Sequence, residues 1–248
     1  MISFRNKRDN FLLLSSPIVL FFLISITLLR IYALYVSPIE LSVDEAQYWD
    51  WSHNIEFGYF TKPPMIAWVI AISTNIFGNE EWAVRLCSPL IHLSISLILW
   101  ATAQFAFGGK AGKLAALIWI FTPAASLGSF IISTDTPLLL FWSLSIFFIF
   151  KLFHNETHMI AILAGISIGL AFLSKYAALY LIIFLIMWWL MYDRNKELSI
   201  TNIFIILVTS ILVASGNIYW NYINEFVTVS HTVSNANLNK IIFNFTNV

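Results

Sequence analysis

Charge is scarce in this 248-residue chain, where Asp, Glu, Lys and Arg make up 10% of the residues. Ordinary soluble domains carry about 25%, so the deficit excludes a soluble globular domain and, with it, a disordered tail. Cysteine is almost absent, Cys87 standing alone, which excludes a disulfide scaffold. No basic surplus exists either: 13 basic residues face 13 acidic ones, leaving nothing in excess to hold nucleic-acid phosphates. Internal repeats and low-complexity tracts are lacking, which removes fibrous and repeat architectures. What fills the chain is apolar, at 59% hydrophobic and 17% aromatic residues, with a mean hydropathy of +0.81. The class that fits is an all-α polytopic membrane protein.

Uncharged runs near the ~20 residues that cross a bilayer predict about seven spans. They are Phe11–Leu29, Leu86–Gly109, Leu114–Thr134, Thr136–Phe150, Thr157–Ser174, Tyr176–Tyr192 and Leu198–Asn224. The first follows Arg5, Lys7 and Arg8 but is long and lacks a small-residue cleavage site, so it reads as an uncleaved anchor. Met65–Phe77 is shorter and follows Pro63-Pro64, which predicts a re-entrant or interfacial helix. Gly165 and Gly169 form a small-xxx-small pair suited to close helix packing. The segment Thr228–Val248 is polar and asparagine-rich, and the sequons at Asn155 and Asn244 are weak signals.

Orientation follows from basic residues in short loops. An inside N-terminus puts Arg5, Lys7, Arg8, Lys110, Lys113, Lys151, Arg194 and Lys196 in the cytoplasm. Glu40, Asp44, Glu45, Asp50, Glu56, Glu80, Glu81, Asp135 and Glu225 then lie outside. The asymmetry runs along the whole chain and predicts a multi-pass membrane protein with its N-terminus inside and its informative charges outside.

The outer residues carry the functional signal. Ser42 and Glu45 match an S-x-x-E capping box. Asp44 is not needed for that cap, which leaves its carboxylate as a candidate catalytic group beside Glu45. Lys62 precedes Pro63-Pro64, is expected to be extended, and offers a point charge for a phosphate; headgroup snorkelling is the competing role. Asp135 lies in Ser133–Pro137, where Pro137 at the first helical position would make Thr136 the cap and leave Asp135 spare. Lys175, predicted outside, breaks the inside preference as Lys62 and Arg85 do; phosphate binding and snorkelling are equally compatible with it. Arg30 reads as an interface anchor, and His92 as a core residue. Tyr48, Trp49, Trp51 and Tyr59 fit either an amphiphilic substrate or an interfacial aromatic belt, and His231 falls in an outer loop.

Taken together, the stretches Leu41–Trp49, Tyr59–Met65, Ser133–Trp142, Leu173–Tyr176 and Trp220-Asn221 followed by His231-Thr232 resemble the GT-C superfamily of polyprenyl-phosphate-sugar glycosyltransferases. The likeness is to the bacterial branch of family 39, related to protein mannosyltransferases and lipid A aminoarabinose transferases. It implies inverting transfer of a sugar from a polyprenyl phosphate to an extracytoplasmic acceptor such as lipid A, a glycan or a protein. It also implies roles. Asp44 would be general base or would position the nucleophile, Asp135 would be the second acidic residue, and Lys62 would grip the lipid phosphate. Lys175 would assist at the phosphate, and Tyr59 and His231 would contact acceptor or donor. A divalent cation between carboxylates is compatible with the superfamily, although no dense ligand cluster is present and none is predicted. Family members continue with further helices and a soluble extracytoplasmic domain, so the expectation is an N-terminal half, 1–248, with a partner chain able to supply the rest. The competing expectations are a non-catalytic remnant that binds a lipid phosphate and, more distantly, a transporter.

Overall fold

A computed structural model describes residues 16–191 and 198–235. Among the described residues all regular structure is helical. Four helical stretches are long and apolar enough to cross a membrane: Pro17–Tyr35, Glu81–Phe107, Asp135–His154 and Ile200–Ile223. Three shorter apolar ones, Met65–Phe77, His158–Ser174 and Tyr176–Met191, accompany them. The predicted count of seven thus resolves into four full-length helices and shorter pieces.

Local chemistry sets most of the boundaries. α1 (Pro17–Tyr35) opens on a proline at its first turn, where the missing N–H costs nothing. It continues past Leu29, the predicted end; Arg5, Lys7, Arg8 and Phe11 lie outside the described residues. α2 (Val43–Trp51) is started by the capping box that Ser42 and Glu45 form. α3 (Met65–Phe77) matches its predicted range and stops at Gly78, whose φ of 87° is open to glycine at no steric cost. α4 (Glu81–Arg85) leads into α5 (Cys87–Phe107).

The predicted span Leu114–Thr134 is not one helix. α6 (Gly109–Phe121) ends where Thr122 and Pro123 break the hydrogen-bond ladder, and α7 (Pro123–Gly128) restarts with Thr122 as its N-cap. The physical reason is local: Thr122 accepts from the Ala125 N–H while proline has no N–H to give. Arg30 repairs the break. Its guanidinium donates to the Ile120 carbonyl at 2.6 Å and to the Ser126 and Ser129 hydroxyls at 2.9 and 3.1 Å. Arg30 is therefore a buried clamp between α1 and the α6–α7 break, not the interface anchor the sequence predicts. His92 is buried and stacks on Trp119 in this same region, as expected of a core residue.

α8 (Asp135–His154) carries an acid in its first turn and Lys151 and His154 in its last, matching the helix dipole at both ends. It runs into α9 (His158–Ser174), which is capped by Thr157. A single 3₁₀ turn, Tyr176–Ala178, precedes α10 (Leu179–Met191). α11 (Ile200–Ile223) starts at the Ser199 cap. The polar segment after Thr228 is partly helical, as α12 (Val227–Asn235). Arg194, Lys196, Asn244 and the rest of the predicted tail lie outside the described residues.

The long helices pack as neighbours in the order α6, α5, α8, α9, α11, with α1 against α5 and α6. α9 and α11 approach closely because Gly165 and Gly169 face α11. A Cβ on Gly165 would lie 2.7 Å from the Ile206 carbonyl oxygen, and one on Gly169 would lie 2.6 Å from Val213 Cβ. The small-residue pair thus does what its spacing predicts. A separate apolar cluster of Tyr48, Ile66, Ile70, Val84 and Ile132 fixes α2, α3 and α4 over one end of the bundle.

Candidate functional site

That end gathers the starts of α2, α4 and α8 and the finishes of α9 and α11. α2 is tied down by Glu45. Its carboxylate receives the Ser42 N–H at 2.9 Å, closing the capping box, and the Ile132 N–H at 3.0 Å. It also forms a two-pronged ion pair with Arg85, Nε to Oε1 and Nη2 to Oε2, both at 2.8 Å. Arg85 also donates to the Ile39 and Glu40 carbonyls. Burial pushes the Glu45 carboxyl up, but these hydrogen bonds and the Arg85 charge outweigh it and hold the carboxyl below its ordinary value. With Glu45 only 1% exposed, its contacts are those of a brace, in contrast to the catalytic part expected of it.

Asp44, its neighbour in the first turn, is exposed. Across the site, Asp135 occupies the first position of α8. The helix begins two residues before Pro137, its predicted first position, so Thr136 is inside it and is not the cap. Pro137 sits at the third helical position, still within the first turn, where its missing N–H breaks no ladder bond. Asp135 pairs with Lys175 at 2.7 Å, both side chains being half exposed. Lys175 ends α9 in an extended conformation, which lets its ammonium reach back to α8. Tyr48 follows Asp44 by one turn of α2 and packs on Ile132, three residues before Asp135. Burial, with the Asp44 and Asp135 charges added, pushes its phenol up to about 12. Asp44, Tyr48, Asp135 and Lys175 form one constellation.

Lys62, Tyr59 and His231 form a second group beside it. The loop from Ser52 to Pro64 lies on the C-terminal end of α11. Trp220 donates to the Glu56 carboxylate at 2.6 Å, Asn217 to the Phe57 carbonyl at 2.6 Å, and Thr228 to the Tyr59 carbonyl at 2.6 Å. Gly58 is pressed against the Trp220 ring, and a side chain there would collide with it. Tyr59 is buried, stacks on Trp51 at 4.7 Å, and donates its hydroxyl to the Asn54 carbonyl at 2.8 Å. Burial raises its phenol. Its surroundings are those of a loop anchor, not of the substrate contact expected. The Tyr59 N–H donates to the Lys62 carbonyl at 3.1 Å, closing a turn that presents Lys62. Lys62 is half-buried, and its ammonium has no ion pair among the described residues. α3 begins at Met65, two residues later than Pro63 would allow. The His231 ring lies 5.5 Å from that of Phe60.

The two groups are linked through Tyr176 and Asn221, which the sequence reading quoted within motifs but gave no role, and through Asn217, which it passed over. Tyr176 donates its hydroxyl to Asn217 at 3.2 Å and accepts from Asn221 at 3.0 Å, so Lys175, one residue before it, is tied to the loop that carries Lys62. Asn217 and Asn221, one turn apart on an apolar helix, were a visible signal for this network. Arg85 was visible as an outer cation, but its partner Glu45 lies 40 residues away and only folding joins them. Among the described residues no group of three or more His, Cys, Asp and Glu side chains is placed to hold a metal ion.

Comparison with known proteins shows the family and the fold. Residues 61–220 match the family described as dolichyl-phosphate-mannose-protein mannosyltransferase. The chain is 34% identical over 230 residues to the lipid A galacturonosyltransferase RgtD of Rhizobium johnstonii, covering 91% of this chain and 48% of that protein. It is 29% identical over 140 residues to the undecaprenyl phosphate-alpha-4-amino-4-deoxy-L-arabinose arabinosyl transferase 2 of Proteus mirabilis, covering 51% of this chain and 24% of that one. The crystal structure of ArnT from Cupriavidus metallidurans bound to undecaprenyl phosphate superposes with a TM-score of 0.68 at 18% identity, over 86% of this chain and 42% of that one. The chain spans about half the length, or less, of the curated relatives it matches. By its matched residues and its fold, the chain belongs to the dolichyl-phosphate-mannose-protein mannosyltransferase family of membrane proteins.

Proposed function

We propose that this chain carries the catalytic face of a glycosyltransferase that moves a sugar from a polyprenyl phosphate to an acceptor outside the cytoplasm, with inversion. The observation that carries the reading is the gathering of exposed Asp44 and the Asp135–Lys175 pair at one end of the bundle, on a family fold. Relatives are named as transferases of sugars to lipid A or from undecaprenyl phosphate, and a solved relative was crystallised with undecaprenyl phosphate. In this reading Asp44 takes the acceptor proton as the glycosidic bond to the phosphate breaks. Lys62 holds the lipid phosphate and stabilises the charge it gains on leaving. Lys175 holds Asp135 in place and is the second cation in reach of the phosphate. His231, against Phe60, borders the Lys62 side.

The location that goes with this is a bacterial inner membrane crossed several times, with the N-terminus inside and the site facing the periplasm or exterior. The basic residues Lys110, Lys113 and Lys151 on one side and the acidic cluster on the other support that orientation. The test is transfer of radiolabelled sugar from polyprenyl phosphate to lipid A by membranes containing the chain, beside an Asp44→Asn variant. Transfer that the variant loses supports the reading. Lipid-phosphate binding that depends on Lys62, without transfer, overturns the enzyme and leaves a lipid-binding protein.

A further inference from the structure

Tyr48 is the one member of the constellation that the proposed chemistry leaves without a task. Its ring is 3% exposed and is held by Ile66, Ile70, Val84 and Ile132, with Trp51 at 5.6 Å on the other side. The hydroxyl differs from the ring. It makes no hydrogen bond among the described residues, unlike Tyr59 and Tyr176, whose hydroxyls are each engaged by neighbours. Nor is it among the sealed polar atoms of the described residues, which are Thr61 Oγ1, both His92 nitrogens, Ser96 Oγ, Trp119 Nε1 and Asn221 Oδ1.

The placement of that hydroxyl is over-determined. Tyr48 follows Asp44 by one helical turn, so the two share a face of α2. Ile132, packed on the ring, precedes Asp135 by three residues, and Glu45 fixes the Ile132 N–H to α2 itself. The phenol therefore sits on the Asp44 face of α2, beside the segment that delivers Asp135. Lys175 already neutralises Asp135, so among the described residues the unpaired charge beside the phenol is the Asp44 carboxylate, which keeps the phenol a protonated donor and favours an uncharged partner oxygen. A buried ring with a free O–H at its tip costs little entropy on binding, because its rotamer is already set.

We propose that the Tyr48 hydroxyl donates a hydrogen bond to an uncharged alcohol oxygen of the substrate, bound beside Asp44. This rests on the glycosyltransferase reading and deepens it. It divides the site into an alcohol-binding side at Tyr48 and a phosphate-binding side at Lys62. The alcohol belongs either to the sugar of the donor or to the acceptor. Both share the chemistry the phenol recognises.

The test is equilibrium binding to the full chain in detergent, wild type beside Tyr48→Phe, with three probes. The probes are undecaprenyl phosphate, undecaprenyl phosphate-4-amino-4-deoxy-L-arabinose and lipid A. Phenylalanine keeps the ring and its packing, and unchanged affinity for undecaprenyl phosphate shows that the variant is folded. One lost hydrogen bond to a neutral group predicts about a tenfold weakening of a sugar-bearing probe. Loss confined to the aminoarabinose lipid places the alcohol on the donor, and loss confined to lipid A places it on the acceptor. Equal affinities for all three probes in wild type and variant overturn the proposal, as does equal weakening of all three, which is the mark of a packing role. A wild type that binds none of the probes overturns the glycosyltransferase reading and this inference with it.

Discussion

Glu45 and Arg85 meet in a two-pronged ion pair with both N–O distances at 2.8 Å, and each side chain is almost wholly out of solvent. The pair joins α2 to α4, and through the Ile132 N–H it joins both to the segment that delivers Asp135. Breaking one partner of a buried pair leaves the other charged and unmatched, at a cost of about 3–5 kcal/mol. Arg85→Ala and Glu45→Ala are each expected to lower the unfolding free energy by that order. Arg85→Lys should rescue little, since an ammonium cannot reproduce the fork. Thermal unfolding in detergent, with the double variant closing the cycle, measures it. Single variants as stable as wild type would remove the brace.

The same carboxylate sets a pH dependence. Its pKa in the fold lies below the ordinary 4.5, so the unfolded chain binds the proton more readily. The stabilisation is fully present above the ordinary value and is lost as pH falls through the lower folded value. Wild type should therefore lose stability below about pH 4.5, and Glu45→Gln should lack that component. Unfolding midpoints of the two proteins between neutral and acidic pH should converge as the pH falls; parallel curves would contradict the sign.

Asp44 has no such structural duty. It is exposed in a first helical turn, where an acid contributes about 0.3–1 kcal/mol through the dipole. Asp44→Asn is expected to abolish sugar transfer while moving the unfolding midpoint only slightly. A large loss of stability in this variant would make the activity loss uninformative about chemistry and would count against its exposed placement.

Lys175 separates chemistry from stability in the same way. Its pair with Asp135 is half exposed, and such pairs contribute about 0–1 kcal/mol once screened. Lys175→Met should leave the fold intact and reduce transfer at least tenfold. Full activity in Lys175→Met would remove the lysine from the site.

Helix packing gives a control far from the chemistry. At Gly165 and Gly169 an added Cβ meets backbone and a β-branched side chain on α11, so Gly169→Val is expected to cost about 1–3 kcal/mol as over-packing. The readout is thermal unfolding. A neutral effect would mean that α9 and α11 can move apart at no cost.

Much was legible before any coordinates because it is written in local terms. Apolar runs place the helices, Ser42 and Glu45 announce a helix start, and the Gly165–Gly169 spacing announces close packing. The candidate site residues Asp44, Lys62, Asp135 and Lys175 could be picked out because each is a charge on the predicted outer side that flanking alone does not explain. Local reading failed where one residue could serve two roles. Glu45 reads as a capping residue or a catalytic acid, and Tyr59 as an aromatic contact or a loop anchor; sequence spacing has no term that chooses between them.

By itself the sequence determined that this chain is helical, lies in a membrane and carries its spare carboxylates on one side, because hydrophobicity and charge act residue by residue. Tertiary structure decided which of those charges are spent. Arg85 reaches back forty residues to neutralise Glu45, Arg30 closes the α6–α7 break, and Asp135 and Lys175 find each other across two helices. The pairing energy of a charge depends on what lies within a few ångströms, and that neighbour is a property of the packed bundle, not of the chain order.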